Sequence, residues 1–123
     1  MTSPTSPALA VALKYYDAWT TGQMDDAMAY VADDIVCDAP AGRIAGATAY
    51  RAFLEPFTHI LRSARMLAAF GDATTALMMY ETETVPVPCA PGAECLTVVG
   101  GRITHSRFLF DRAPFDAARS ASG

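Results

Sequence analysis

The chain has 123 residues, of which 52% are hydrophobic and 18% are charged, and its formal net charge is −4. A chain of this length forms one domain that buries roughly 65% of its unfolded surface without help from disulfides or metals. The acidic charge argues against a nucleic-acid partner, and no apolar run reaches the ~18 residues that a membrane-spanning helix needs.

The three cysteines, Cys37, Cys89 and Cys95, form no CxxC pair. This number and spacing favour free thiols over a disulfide framework or a zinc site, and leave a bridge between Cys89 and Cys95 open. The first residues contain no basic segment ahead of an apolar one, so no secretory signal is indicated and we expect a cytoplasmic protein. No metal-ligand cluster or phosphate-binding glycine loop is present, so no cofactor is expected.

In chain order, residues 1–6 are rich in Ser, Thr and Pro and are predicted to be a disordered tail. Ser6 is suited to cap a helix, and Pro7 is suited to its first position. This first helix is predicted to end near Thr21. Its apolar residues recur at helical spacing on one inward face, which carries Ala8, Leu9, Ala12, Tyr15, Tyr16 and Trp19.

A second, short helix is predicted over 24–30, with two aspartates in its first turn, where the helix dipole favours negative charge. A strand rich in β-branched residues is predicted over 35–39, and the segment 41–46 resembles the return strand of a hairpin. A third helix is predicted over 47–61. Pro56 removes one backbone donor from it, so we expect a kink or a restart there.

Two strands are predicted next, over 64–70 and 75–85, and alternation alone does not decide which face of the second is inward. Residues 86–92 contain three prolines and are predicted to be a stiff loop, because proline cannot donate to a strand ladder. At the end of the chain, residues 116–123 are predicted to begin as a helical turn and to end disordered.

The clearest local signal is the pair Gly100 and Gly101, which predicts a tight hairpin turn because such turns need positive φ angles. The turn joins a strand over 95–99 to a strand over 102–110. Alternation places two sets of side chains on opposite faces of the second strand, namely Thr104, Ser106, Phe108 and Phe110 on one and Ile103, His105, Arg107 and Leu109 on the other.

The predicted order is three helices interleaved with about six strands, of which the last four are consecutive and antiparallel. This order is typical of an α+β domain with helices on one face of a strongly curved sheet. We therefore expect a single domain over 7–118, between tails at 1–6 and 119–123, with no internal repeat.

Two segments, YYDAWTTGQMDDAMAYVADDIVCDAP at 15–40 and GRITHSRFLFDRAPF at 101–115, resemble the opening and the closing strand of the nuclear transport factor 2-like superfamily. Within it the chain is most similar to the SnoaL-like polyketide cyclase group, with ketosteroid isomerase and limonene-epoxide hydrolase as more distant relatives. The resemblance implies a cystatin-like α+β barrel, in which a cone-shaped, mixed and largely antiparallel sheet wraps around three helices. It implies little about chemistry, because this fold carries many reactions.

The resemblance to ketosteroid isomerase implies a tyrosine that polarises the substrate carbonyl, and this position matches Tyr15. The isomerase general base falls on Ala39, one residue from Asp38, and its protonated carboxylic acid falls near Glu94 or Cys95. Asp38 and Tyr15 are therefore the catalytic candidates, although alternation points Asp38 outward.

The resemblance to limonene-epoxide hydrolase places a water-positioning pair on Cys37 and Ala39, and a relay on Thr82, Thr84 and Phe108. Neither catalytic set is reproduced in this chain. The same resemblance implies that a small apolar molecule binds in a hydrophobic pocket, and the ligand-binding candidates are Tyr15, Tyr16, Trp19, Cys37, Phe53, Phe57, Tyr80, Thr82, Ser106, Phe108 and Phe110.

The opposite strand faces form an outer surface with several charged side chains. By alternation, His105 stands beside Arg107 and could meet Asp38 from a neighbouring strand. The outward glutamates of strand 75–85 are expected to pair with Arg107 or Arg102. The resemblance implies a homodimer through this outer face, with His105, Arg107, Glu81 and Glu83 as the residues involved.

Two functions stay open on the sequence. One is a cofactor-independent isomerase, cyclase or epoxide hydrolase that transfers a proton on a small apolar substrate. The other is a noncatalytic ligand-binding or dimerisation module, which the lack of inward carboxylates favours. A titratable group with a shifted pKa that projects into the pocket would distinguish the two.

Overall fold

A computed structural model describes residues 6–122 of the chain, and the side chains of residues 6–118. The helices are α1 (Pro7–Thr20), α2 (Met24–Met28), α3 (Ala47–Ile60) and α4 (Ala113–Ser122). The strands are β1 (Val31–Ala39), β2 (Gly42–Ala45), β3 (Leu61–Gly71), β4 (Thr75–Thr84), β5 (Ala90–Val99) and β6 (Arg102–Phe110).

The six strands form one curved sheet in the order β2-β1-β6-β5-β4-β3. The last four strands are antiparallel to their chain neighbours, as predicted, and β1 runs parallel to β6 in the middle of the sheet. The hairpin between β5 and β6 turns at Gly100 and Gly101, whose φ angles are 61° and 79°. The predicted α+β class with about six strands is confirmed.

Helix α1 lies against the inner face of the sheet and contacts β3, β4, β5 and β6, whereas α3 contacts β1 and β2. Buried and exposed residues alternate along β4. This pattern decides which face of the strand is inward, a question that the sequence left open. The inward residues are Ala76, Met78, Tyr80, Thr82 and Thr84, all of which are buried. The core between the helices and the sheet is therefore rich in aromatic rings.

Strand β5 is longer than predicted, because it begins at Ala90 instead of residue 95. The prediction that Pro91 and Gly92 belong to a loop is wrong. Pro91 pairs with Glu81 of β4, whereas the pairing of β5 with β6 begins only at Gly92. Pro91 therefore lies near the start of β5, where the strand pairs with β4 but not yet with β6.

Two further elements differ from the prediction. Helix α3 continues through Pro56, so of the expected kink or restart the restart does not occur, and the Thr58 hydroxyl donates to the Glu55 carbonyl oxygen at 2.6 Å in the same turn. Strand β1 begins at Val31 rather than at residue 35. Val31 pairs with Ile103, and the register shifts before the next pair, which accommodates two exposed aspartates within the strand.

The predicted tails fall partly outside the described residues. Residues 1–5 and residue 123 lie there, so the predictions for them are not discussed further. Helix α4 continues to Ser122, beyond the single helical turn that the sequence predicted. Within residues 6–122, no helix is long and apolar enough to cross a bilayer.

The outer face of the sheet carries charged pairs that differ from the expected ones. Arg65 of β3 lies directly opposite Glu81 of β4 and donates to it at 2.8 Å, and Ser63 donates to Glu83 at 3.1 Å. The expectation that these glutamates pair with Arg107 or Arg102 is wrong, because β5 separates β4 from β6.

Replacing Phe108 with alanine should lower the free energy of unfolding by roughly 3–5 kcal/mol, the usual cost of truncating a buried phenylalanine. Phe108 is 7% exposed and meets the rings of Phe53 and Phe110 at centroid distances of 5.9 and 5.5 Å. Leu109→Ala is the matched control, since this neighbour is 62% exposed. Urea denaturation measures both, and a loss below about 1 kcal/mol for Phe108→Ala would contradict the inward packing of β6.

The predicted homodimer can be tested on the apolar part of the outer face, where Leu67, Phe70, Leu77, Met79 and Leu109 are all exposed. Met79→Glu should shift the protein from dimer to monomer in sedimentation equilibrium, because a carboxylate would be buried against the second copy. Gln23→Glu adds the same charge on the helical side and should leave association unchanged. An unchanged dimer in Met79→Glu would exclude this face, and a monomeric wild type would exclude the dimer.

Candidate functional site

An apolar cavity of about 450 Å³ lies between α3, α4 and the ends of β4, β5 and β6. Six aromatic side chains line it: Phe53, Phe57, Tyr80, Phe108, Phe110 and Phe115. This volume and this composition suit one small, largely apolar molecule. The cavity is therefore the candidate binding site.

Contacts between the aromatic rings hold the cavity wall together. Phe115 of α4 meets Phe57 of α3 at 6.3 Å and Phe110 of β6 at 6.0 Å, between ring centroids. Both contacts are edge-on, the geometry that aromatic pairs prefer. Phe115 was missed as a site residue because the sequence predicted a helix only after it.

A second depression of about 420 Å³ lies between α2 and α3, and we do not regard it as a binding site. Its arginine is already paired, since Arg51 binds Asp25 at 2.8 Å and Glu55 at 2.7 Å. Met24 is the one apolar side chain among its lining residues, which gives an apolar ligand little to pack against.

Behind the cavity lies a group of buried side chains that carry polar atoms, which we call the polar layer. It comprises Tyr15, Tyr16, Trp19, Cys37, Tyr50, Tyr80, Glu94 and Ser106. The Tyr15 and Tyr50 hydroxyls are hydrogen-bonded to each other. Tyr80 belongs to both the polar layer and the cavity wall, and its ring contacts those of Tyr16 and Trp19.

Glu94 of β5 is fully buried in the polar layer, and it is the one buried charged residue among the described side chains. Its cross-strand neighbours are Met78 of β4 and Phe108 of β6. Neither carboxylate oxygen forms a hydrogen bond of normal geometry within the described residues, although the Tyr80 hydroxyl lies close to them. A buried carboxyl without a cation or a hydrogen bond is costly when ionised.

The environment of Glu94 changes its acidity. Burial raises the pKa of its carboxyl to about 7, and the nearby Tyr80 hydroxyl offsets a small part of this rise. Burial also raises the pKa of Tyr15, Tyr50 and Tyr80 well above the usual value. Near neutral pH the tyrosines are therefore neutral donors, and Glu94 is the group that can gain or lose a proton.

The structure places the predicted ligand-binding residues in two groups. Those that line the cavity are Phe53, Phe57, Tyr80, Thr82, Phe108 and Phe110. The others lie in the polar layer, beyond the cavity wall, and are Tyr15, Tyr16, Trp19, Cys37 and Ser106. Burial raises the pKa of the Cys37 thiol to about 11, so it is protonated at neutral pH and unsuited to act as a nucleophile.

Asp38, the other catalytic candidate, lies on the outer face of the sheet and not in the cavity. Arg43 donates to one of its carboxylate oxygens at 2.9 Å, and His105 bonds the other at 2.8 Å, as alternation anticipated. These two hydrogen bonds lower the pKa of Asp38. It is an ionised carboxylate held by an ion pair, away from any ligand in the cavity.

Glu94 was absent from the candidate residues that the sequence supplied, even though the resemblance pointed to Glu94 or Cys95. The alternation of Gly92, Glu94 and Leu96 places these three residues on one face of a strand. The sequence analysis did not use it, because residues 86–92 were predicted to be a loop and the strand was predicted to begin at residue 95. Once β5 begins at Ala90, the same alternation turns Glu94 inward and Cys95 outward.

The three cysteines are free. Among the described residues, no group of three or more His, Cys, Asp or Glu side chains could hold a metal ion. The candidate site therefore consists of an apolar cavity and, behind one of its walls, the carboxyl group of Glu94.

Comparisons with known proteins agree with this architecture. The family model described as the SnoaL-like domain matches residues 12–106 of the chain. No curated protein matches the sequence. The match spans α1 to most of β6 and so includes Tyr15, Tyr50, Tyr80 and Glu94.

Several solved structures are similar. A protein from Kribbella flavida is 63% identical, with a TM-score of 0.92 over 94% of this chain and 95% of its own. A proposed polyketide cyclase from Sinorhizobium meliloti is 20% identical, with a TM-score of 0.72 over 81% of this chain and 94% of its own. A proposed ketosteroid isomerase, also from Kribbella flavida, is 20% identical, with a TM-score of 0.70 over 83% of this chain and 76% of its own.

The raised pKa of Glu94 predicts a pH-dependent stability. The folded protein holds this proton up to about pH 7, whereas the usual value for the side chain is 4.5, so the folded state binds more protons between these values. Raising the pH through this window should therefore destabilise the wild type, by about 3 kcal/mol relative to Glu94→Gln, which cannot titrate. Urea denaturation of both proteins from pH 4.5 to pH 8 measures the difference, and a difference that stays constant would contradict the burial of an unpaired carboxyl.

Proposed function

The chain belongs to the SnoaL-like domain family, and we propose that its cavity binds a small, largely apolar molecule on which it performs a cofactor-independent proton transfer. Glu94 carries the proton in this reaction. The proposal combines two features of the chain, an aromatic cavity that fits a ligand and a fully buried carboxyl whose pKa is about 7.

The observation that carries the proposal is the acidity of Glu94. An acid–base catalyst works best when its pKa lies near the working pH, because both protonation states are then populated. An ordinary glutamate is almost entirely ionised at neutral pH. Burial without a cationic partner brings Glu94 into the useful range, and groups with such shifted pKa values cluster at functional sites.

The reaction class comes from the names of the relatives, and the acid–base group comes from this chain. The two neighbours at 20% identity are a proposed polyketide cyclase and a proposed ketosteroid isomerase. At this level of identity the likeness shows the fold alone. In the chemistry that we propose, Glu94 accepts a proton from a carbon next to a carbonyl group, which requires the ligand to reach the carboxyl past the Tyr80 and Phe108 side chains that form the cavity wall on its side. The electron pair of that bond moves towards the carbonyl oxygen, and Glu94 later returns the proton to carbon.

The tyrosines of the polar layer would support such a step. Tyr15, Tyr50 and Tyr80 keep their protons at neutral pH, because burial raises the pKa of each of them. Neutral hydroxyl donors in a buried site stabilise developing negative charge, and of these three tyrosines only Tyr80 has a side chain in the cavity wall. The Tyr80 hydroxyl lowers the pKa of Glu94, so its removal would make the ionised form of Glu94 harder to reach.

One observation favours a second function, a noncatalytic ligand-binding protein. Glu94 does not border the cavity, since Tyr80 and Phe108 form the wall on its side. A ligand could therefore bind in the cavity without meeting the carboxyl. Both functions require the same apolar ligand, and they differ in whether a proton moves.

Proton transfer can be measured with 2-tetralone, a small bicyclic ketone, as the probe. In D₂O the wild type should accelerate exchange of its α-hydrogens, followed by ¹H NMR, and Glu94→Gln should lower the rate by about 100-fold or more. Asp38→Asn is the matched control, because it removes an outer-face carboxylate and should leave the rate unchanged.

Binding is measured separately through Trp19, the single tryptophan, whose ring lies 6.0 Å from that of Phe57 in the cavity wall. Quenching of its fluorescence by 2-tetralone without accelerated exchange would establish the noncatalytic function for this ligand class. If 2-tetralone causes neither quenching nor accelerated exchange, both functions are contradicted.

A further inference from the structure

The cavity has a closed end and an open end, and strand β6 runs from one to the other. Phe108 is buried and lies opposite Glu94 of β5, whereas Phe110, two residues later, is only partly buried. Arg112 follows after two more residues, lines the cavity and is exposed. The cavity therefore opens to solvent where β6 passes into α4, and its closed end is the wall in front of Glu94.

Polar side chains are rare in the cavity. Among the described residues that line it, those with polar side chains are Tyr80, Thr82, Arg112 and Asp116. The Tyr80 hydroxyl oxygen is buried, and the Thr82 hydroxyl donates to the Ala90 carbonyl oxygen at 2.8 Å. A ligand that enters from the solvent therefore meets polar side chains at the open end, where Arg112 and Asp116 lie.

Of these two residues, Arg112 is the better partner for a ligand. Its guanidinium is charged at every physiological pH, and its planar fork of N–H donors matches the two oxygens of a carboxylate. It forms no ion pair within the described residues. Asp116, one helical turn further on, donates its backbone N–H to the Arg112 carbonyl oxygen at 2.9 Å and takes part in a further interaction.

We propose that the cavity takes a ligand with an apolar ring system and a carboxylate group, and that Arg112 binds the carboxylate at the open end. The inference rests on the proposed function, because it names the class of ligand that the same cavity takes. The rings of this ligand lie against those of Phe110 and Phe115. Arg112 and Phe108 are four residues apart, so at most roughly 14 Å of chain separates them. The far end of the ligand therefore lies near Phe108, in front of Glu94.

The exposed position of Arg112 suits this role. A carboxylate at the open end keeps contact with water and avoids the cost of burying a charge in an apolar cavity. The rings leave water for the aromatic wall, which is the favourable part of the transfer. A ligand bound the other way round would bring its carboxylate close to Glu94, where two carboxylates repel each other. Arg112 thus selects the orientation of the ligand in the cavity.

The test compares two probes of nearly the same shape, 2-naphthoate and 2-naphthamide, of which only the first is charged. In isothermal titration calorimetry, the wild type should bind 2-naphthoate about fivefold or more tightly than 2-naphthamide, because the guanidinium forms charge-assisted hydrogen bonds with a carboxylate. Arg112→Gln should remove this preference, and Arg112→Lys should retain part of it. 2-Tetralone should compete with both probes, since it enters the same cavity.

The matched control is Arg102→Gln, which removes the same charge from the opposite end of β6, where Arg102 is exposed. It should leave both dissociation constants unchanged. Added NaCl should weaken the binding of 2-naphthoate and not that of 2-naphthamide, because salt screens an exposed ion pair. A merely structural role of Arg112 would change the affinity for both probes alike.

Three outcomes would overturn the proposal. The first is equal affinity of the wild type for the two probes, or no binding of either. The second is a preference for 2-naphthoate that persists in Arg112→Gln. The third is tighter binding of the cation 2-naphthylmethylammonium than of 2-naphthoate, which would make Asp116 the partner of the ligand instead.

This inference and the proposed function can fail separately. If 2-naphthoate binds through Arg112 but the wild type does not accelerate exchange of 2-tetralone, the ligand class stands and the proton transfer fails. If Glu94 promotes the exchange but the affinity for 2-naphthoate does not depend on Arg112, the proton transfer stands and the ligand class fails.

Discussion

A carboxyl group that is removed from water is much easier to keep neutral than ionised, and the interior of this fold depends on that constraint at Glu94. No cation lies within the polar layer to pair with it, and the Tyr80 hydroxyl is the polar group that lies close to its carboxyl. As a result, the pKa of Glu94 is about 7, and both its protonated and its ionised form are populated near neutral pH. The aromatic core that surrounds it is what keeps water away.

The two faces of the sheet treat carboxylates in opposite ways. On the outer face, Asp38 is paired with Arg43 and His105, and Glu81 with Arg65, so these carboxylates are stabilised in the ionised form. On the inner face, Glu94 has no such partner. Because adjacent residues of a strand point to opposite faces, a shift of one residue along the strand decides whether a carboxyl is ion-paired on the surface or buried without a cation.

Most of the fold was predictable from local patterns, whereas the candidate site was not. Gly100 and Gly101 predicted the hairpin, and alternation in the strand that follows, together with the family resemblance, gave the buried position of Phe108. The start of β5 was missed because Pro91 argues against a strand, and only the three-dimensional pairing shows that Pro91 pairs with β4. The burial of Glu94 and the pairing of Gly92 with Tyr80 arise from packing across strands, which no single stretch of sequence displays.

Helix α4 supplies one wall of the cavity from the end of the chain. Phe115 joins α3 to β6 through Phe57 and Phe110, yet the sheet itself is complete at Phe110, before this helix begins. A protease cut just after β6 would therefore remove one wall of the cavity and leave every strand of the sheet in place.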